Sequence, residues 1–229
     1  MSTAAAAESL HGHDDHGNDH GHGHGPVAWP VDAEFGLATP GKIAMWIFLL
    51  SDAFSFSGLL LGYGLLRGGS TQWHHPGEPE LGINFTALLT FLLICSSVSM
   101  VMAFAAAQEH DRKKTAFWLF LTILGGVGFL CGQMHEYFGF LPFLGGGEHG
   151  LIGEGLVFGH SDYANTFYVT TTFHGCHVFA GVVYLSCILI NTLRGKYDQN
   201  PGPIELVGLF WHFVDLVWIL VFTLIYLIP

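Results

Sequence analysis

From residue 40 onward, apolar positions fall into five long stretches separated by short polar turns. They run over approximately 42–67, 83–108, 114–141, 163–193 and 204–228. At about 1.5 Å of rise per residue, each is long enough to cross a hydrocarbon layer about 30 Å thick. The pattern predicts an all-α, polytopic membrane bundle of five transmembrane helices occupying residues 39–229. No repeat of 20–50 residues is present, so a solenoid does not fit. Residues 1–38 break the pattern with a polar stretch dense in His, Gly and Asp. That composition buries no core and predicts a disordered tail. It also lacks the basic start and apolar centre of a secretory signal, so the tail is expected to stay attached.

Within the spans, polar and small residues recur at helical spacing. Ser51, Ser55, Gly58 and Gly62 fall at i, i+4, i+7 and i+11, with Asp52 beside them. Gly125, Gly128, Gly132 and Glu136 fall at i, i+3, i+7 and i+11, and Trp211, Asp215, Trp218 and Phe222 repeat the first spacing. Thr170, His174, His177 and Gly181 share one further face. Small residues let helix backbones approach closely in lipid, where packing and hydrogen bonds drive association. Each stripe is therefore expected to face protein. His212 and Asp215, three residues apart inside the last span, are costly in lipid and call for a partner.

Counting residues from the basic ends of the helices sorts the polar groups by depth. Asp52, His212 and Asp215 lie about 10–15 Å in, whereas His135, Glu136, His174 and His177 fall in the other half. The count predicts an inner Asp52–His212/Asp215 cluster and an outer one joining Glu136 to His174 or His177. These side chains are expected to be buried polar anchors, some contacting lipid, with Trp46, Trp211 and Trp218 adding aromatic packing.

Composition supports the membrane assignment: of 229 residues, 51% are hydrophobic and only 11% charged, about half the usual share of a soluble domain. The formal charge of −11 sits mostly in the tail and loops, and no basic run suited to nucleic acid occurs. Lys42, Arg112, Lys113, Lys114, Arg194 and Lys196 fall on one side of the predicted bundle, and Arg67 alone on the other. The positive-inside rule then places the N-terminus and the two basic turns in the cytoplasm, with the 142–162 loop and the C-terminus outside. Cys95, Cys131, Cys176 and Cys187 all lie within spans without a C-x-x-C pair. They read as small packing residues, not as a disulfide framework or zinc site.

The same residues admit more than one chemistry. His-x-x-His with carboxylates on neighbouring helices is a feature of metal sites in bundles, but those ligands converge at one depth. A proton relay would need a chain of titratable groups joining both sides, and none is continuous here. In the tail, His11, His13, His16, His20, His22 and His24 offer donors to a transition metal with no fixed geometry. Interhelical hydrogen bonding is the favoured role for the intramembrane set.

Trp-His-Phe-Val-Asp-Leu-Val-Trp-Ile at 211–219 resembles the last-helix signature of subunit III of haem–copper terminal oxidases. Thr-Phe-His-Gly-Cys-His-Val-Phe-Ala-Gly at 172–181 is similar to the family's F-H-G-x-H-V-x-x-G pattern. Ser51-Asp52 within 41–58 resembles its S-E/D-x-x-x-F segment, and Gly132-Gln133 with Glu136-Tyr137 a weaker element. The resemblance implies the short, five-helix form of the family. It further implies a subunit without redox centre or catalytic residues, with haem and copper held by partner subunits. Such a subunit packs on subunit I in a complex with subunit II, sometimes with a small subunit IV or within a larger supercomplex. It binds phospholipid and supports proton uptake and durability in an enzyme that reduces oxygen and pumps protons in the bacterial inner membrane. Asp52 stands where cytochrome c oxidases more often carry Glu; Asp is familiar in quinol oxidases, which leaves the electron donor open. Two other readings stand beside it. One is an accessory subunit of a nitric oxide reductase. The other is an autonomous transporter, suggested by Asp52, Glu136 and Asp215 but without inverted repeats or broken helix pairs.

Overall fold

The computed structural model describes residues 40–71, 73, 81–139, 150–197 and 200–228. The N-terminal tail and its histidines lie outside the described residues. The chain folds as helices α1 (Pro40–Gly69), α2 (Ile83–Gln108), α3 (Arg112–Phe138), the single turn α4 (Gly150–Gly153), α5 (Asp162–Leu193) and α6 (Gly202–Val221). A π-helical turn, Phe222–Leu227, extends α6. Five helices are long and apolar enough to span a membrane, and among the described residues there is no strand. The five stretches expected from the sequence all form, with ends shifted by no more than a few residues.

The helix ends are written locally. Asp111 caps α3, accepting from the Lys114 backbone N–H at 3.2 Å while its other oxygen pairs with Lys114 Nζ at 3.1 Å. The Lys114 backbone and side-chain hydrogen bonds hold the Asp111 carboxyl below the usual carboxylate range. Ser161 caps α5 by accepting from Ala164 N–H. At the far end of α3 the chain turns through Gly139, left-handed at φ 65°, whose N–H donates to His135 O at 2.7 Å. A side chain there meets the left-handed steric penalty, so Gly139→Ala is expected to cost about 1 kcal/mol. An unchanged midpoint on SDS titration in mixed micelles would count against that reading of the turn.

Helix α6 is the axis of the bundle. It packs on α1, α2 and α5, while α3 bridges α2 and α5. Its most apolar window is 56% buried within the chain, against 17% for α1. The α2–α3 interface is built on the glycine stripe of α3. A Cβ at Gly125 would meet Ser96 Cβ at 2.6 Å, and one at Gly132 would overlap Leu89 Cδ2. That stripe faces protein, as its spacing predicts. The corresponding stripe of α1 does not: Ser51, Ser55 and Gly58 are exposed, Gly62 is half-buried, and nothing lies within 4 Å of a Cβ built at either glycine.

What α1 buries instead is a seam with a 3.5-residue repeat, in which Leu49, Asp52, Phe56 and Tyr63 are buried and Lys42 and Met45 half-buried. This is the pattern of left-handed helix packing. Three polar ties hold that seam. Lys42 Nζ meets Glu205 Oε1 at 2.7 Å at one end. Asp52 meets His177 in the middle, and Arg67 Nη1 donates to Ile228 O at 3.0 Å at the other end.

The four cysteines are free and exposed on the chain's own surface. They are not interior packing residues: each lies on an outward helix face, where a thiol is apolar enough to be tolerated in lipid.

Candidate functional site

The polar side chains inside the spans form pairs that differ from those expected from depth alone. Asp52 does not meet His212 or Asp215. Its Oδ1 lies 3.1 Å from His177 Nε2, joining α1 to α5. The other ring nitrogen of His177 lies 2.8 Å from Phe173 O. A carbonyl only accepts, so Nδ1 must carry hydrogen. A single further proton is then shared between Asp52 Oδ1 and His177 Nε2: the contact is either a carboxylic acid donating to imidazole or an imidazolium donating to carboxylate. Phe56 and Phe173 screen it, with ring centroids 5.2 and 4.7 Å from that of His177.

His212 and Asp215 turn toward α2. His212 Nδ1 lies 2.6 Å from Ser97 Oγ, and Asp215, one turn further along α6, is buried. Glu136 meets neither His174 nor His177. Thr86 Oγ1 donates to its Oε1 at 2.9 Å and Tyr226 OH to its Oε2 at 3.1 Å, so the carboxyl joins α3 to α2 and to the π-helical turn. The wide turn matters here because it carries Ile225 and Tyr226 inward, leaving both buried. Next to Glu136, Gln133 Nε2 donates to Thr171 O at 2.8 Å, and Tyr137 OH lies 2.6 Å from Thr171 Oγ1, closing α3 on α5.

Among the described residues His174 finds no hydrogen-bond partner at either ring nitrogen, despite complete burial. It is held by aromatic faces: Trp218 at 4.8 Å and an interplanar angle of 30°, and Phe129 edge-on at 5.7 Å.

Trp211 and Trp218 are both 1% exposed and sit in the core rather than at an interface with lipid. Trp211 Nε1 donates to Ser96 Oγ at 3.1 Å and Trp218 Nε1 to Thr90 Oγ1 at 3.0 Å, both on α2. The Trp211 ring lies in a slot between α3 and α5. A Cβ at Gly126 would approach it to 2.5 Å and one at Gly181 to 2.9 Å. Trp46 differs from both, at 61% exposed on the outer face of α1. Serine and threonine on α2, which sequence reasoning left aside, prove to be the receiving partners of α6. Their signal was the recurrence of Thr90, Ser96 and Ser97 in an otherwise apolar span.

Among the described residues, no three His, Cys, Asp or Glu side chains gather closely enough to hold a metal ion. An apolar groove of about 420 Å³ opens between α2 and α3, lined by Leu88, Leu92, Cys95, Gly128 and His135 among others. Chemically, Asp52, His212 and Glu136 tie neighbouring helices by hydrogen bonds, whereas His174 is held by ring contacts alone.

The sequence matches the family described as Cytochrome c oxidase subunit III over residues 35–228, almost all of the membrane bundle. Cytochrome c oxidase subunit 3 of Thermostichus vulcanus is 33% identical over 188 residues, covering 81% of this chain and 86% of the relative. The protein of the same name from Corynebacterium diphtheriae is 34% identical over 186 residues, covering 80% and 85%. Cytochrome bo(3) ubiquinol oxidase subunit 3 of Pseudomonas putida is 30% identical over 191 residues, covering 81% and 84%. With the three sequence motifs lying on α1, α5 and α6 of a five-helix bundle, this chain belongs to the cytochrome c oxidase subunit III family.

Proposed function

We propose that the chain is a non-redox, integral subunit III of a proton-pumping haem–copper oxidase in a bacterial inner membrane. It packs on a haem- and copper-bearing subunit I, beside subunit II, and supports proton uptake and durability under turnover. The observation that carries this reading is the family match along the whole bundle, residues 35–228. The pairing of its intramembrane carboxyls and histidines supports a structural role, since each is held by a neighbouring helix. Lipid binding is supported by the α2–α3 groove, an apolar channel at membrane depth that suits an acyl chain. Purification tests the reading: the tagged chain should co-isolate with a haem-bearing polytopic subunit and oxygen-reducing activity. Isolation of the chain alone from gently solubilised membranes, or reduction of nitric oxide in place of oxygen, would overturn it.

A quinol-oxidizing complex is the second reading. It is favoured by Asp52 at the acidic position and by similarity to the Pseudomonas ubiquinol oxidase subunit. Oxygen uptake driven by reduced cytochrome c or by a quinol decides between the donors.

The N-terminal ends of α1 and α6 meet through Lys42 and Glu205, and Arg67 meets Ile228 at the other end. We place the first of these ends in the cytoplasm, because it carries six of the seven basic residues. In a cysteine-free background, Glu154→Cys should react with an impermeant maleimide in intact spheroplasted cells. Lys113→Cys should react only after permeabilisation. Reversed labelling would invert the topology.

A further inference from the structure

At the end of the bundle that carries most of the basic residues, a small recess lies where four long helices meet. Ala107 from the last turn of α2 and Ile204 from the first turn of α6 give it an apolar wall. Arg112 and Thr115 line it from the start of α3, Thr192 from the end of α5, and Tyr197 from the turn that follows. Its volume is about 10 Å³, on the scale of one water-sized sphere.

The polar groups around it divide into donors and acceptors. Tyr197 OH accepts from Asn191 Nδ2 at 3.3 Å, so its own hydrogen remains to donate. Arg112 brings N–H groups, which only donate. Thr115 and Thr192 are both buried, and each has already given its hydroxyl hydrogen to its own helix. Thr115 donates to Asp111 O and Thr192 to Ile188 O, both at 2.9 Å. What each threonine still offers is an accepting lone pair. An occupant must therefore be small, accept on one side and donate on the other. A lipid phosphate suits the basic end of the bundle, but the oxygens of a phosphodiester only accept and would face the threonine lone pairs. An ammonium only donates. Water does both.

We infer that this recess seats one ordered water, which accepts from Tyr197 OH and donates to Thr115 Oγ1 and Thr192 Oγ1. The water ties the turn between α2 and α3 to the turn between α5 and α6.

The test uses the full chain in the form in which it purifies from the membrane, alone or in its complex. A cryo-EM map fine enough to show ordered waters should contain an isolated peak within about 3.2 Å of Tyr197 OH and of at least one of the two threonine oxygens. Thr192→Val keeps the shape of the side chain and removes the lone pair. It should raise amide exchange in the opposite turn, residues 109–113, by about fivefold, as expected for the loss of one hydrogen bond. Thr192→Ser should restore the slow exchange. A bare recess in such a map, or density continuous with a lipid headgroup, would overturn the assignment. Faster exchange confined to α5 would also overturn it, since the hydroxyl would then serve its own helix alone. Should Thr192→Val fail to accumulate, Tyr197→Phe replaces it, with the same change expected in residues 109–113.

Discussion

Replacing Trp211 by alanine is expected to cost about 3 kcal/mol, the lower end of the range for a buried tryptophan, because lipid solvates the freed apolar surface. The loss is mainly one of packing. The indole fills a slot whose walls are Gly126 and Gly181, and its N–H spans to Ser96, so one side chain contacts α2, α3 and α5 from α6. Ser96 already donates to Leu93 O at 2.6 Å, so losing the indole leaves its hydroxyl with a partner and adds little penalty. Gly126→Leu attacks the same slot from the other wall. A Cβ alone would stand 2.5 Å from the indole and 2.7 Å from Val182, so overpacking should cost a comparable amount, on the order of 1–3 kcal/mol. The two substitutions are complementary in volume. The double variant Gly126→Leu/Trp211→Ala should therefore be more stable than the sum of the singles by about 1 kcal/mol or more. SDS titration of all four proteins in mixed micelles gives the cycle. Strict additivity would show that the glycine and the tryptophan do not share one slot.

That slot also shows what a sequence of this kind exposes and what it hides. Span number and position follow from apolar length, because a helix crossing hydrocarbon has no cheaper way to satisfy its backbone. The glycine stripe of α3 is legible for a similar reason, since three small residues at i, i+3 and i+7 have little use in lipid other than close approach. The stripe of α1 obeys the same rule yet lies open, because the chain's own helices use the adjacent Leu49–Asp52–Phe56–Tyr63 seam. Spacing identifies a face suited to close packing and does not say which molecule covers it.

Partner choice failed for a geometric reason. Helix α5 has 32 residues and is about 48 Å long, so its ends extend well past a hydrocarbon layer of about 30 Å. Counting inward from Leu193 placed His177 too far from the basic side, whereas it lies level with Asp52. Likewise His174 sits near mid-depth among Phe129 and Trp218, below the level of Glu136. Azimuth was also hidden: His212 shares a depth with Asp52 but faces α2, where Ser97 waits. Depth can be estimated from a sequence when helices match the membrane; rotation about the axis needs the neighbours.

Glu136 carries the second large expectation. Glu136→Ala should cost about 2 kcal/mol, because it leaves the buried Tyr226 hydroxyl without its acceptor and opens a small void between α2, α3 and the end of α6. Thr86 suffers less, since it retains Gly82 O at 3.2 Å as a local acceptor. Tyr226→Phe removes one donor from the carboxyl and should cost about 1 kcal/mol, within the range of hydrogen bonds measured in membranes. If the carboxyl and phenol act as a pair, Glu136→Ala/Tyr226→Phe should be less destabilised than the sum, by most of the Tyr226→Phe effect. The π-helical turn gives an independent handle. Deleting Thr223, whose side chain is exposed and bonds only to Ile219 O, should let the segment close into a regular α-turn. The extra residue in such a turn is what carries Tyr226 inward, so the deletion should rotate its hydroxyl by about 100° away from Glu136. The deletion should then match Tyr226→Phe in stability and show no further loss when combined with it. A deletion variant that stays fully sensitive to Tyr226→Phe would mean that the wide turn does not serve the tie, and that Tyr226 reaches Glu136 by another route.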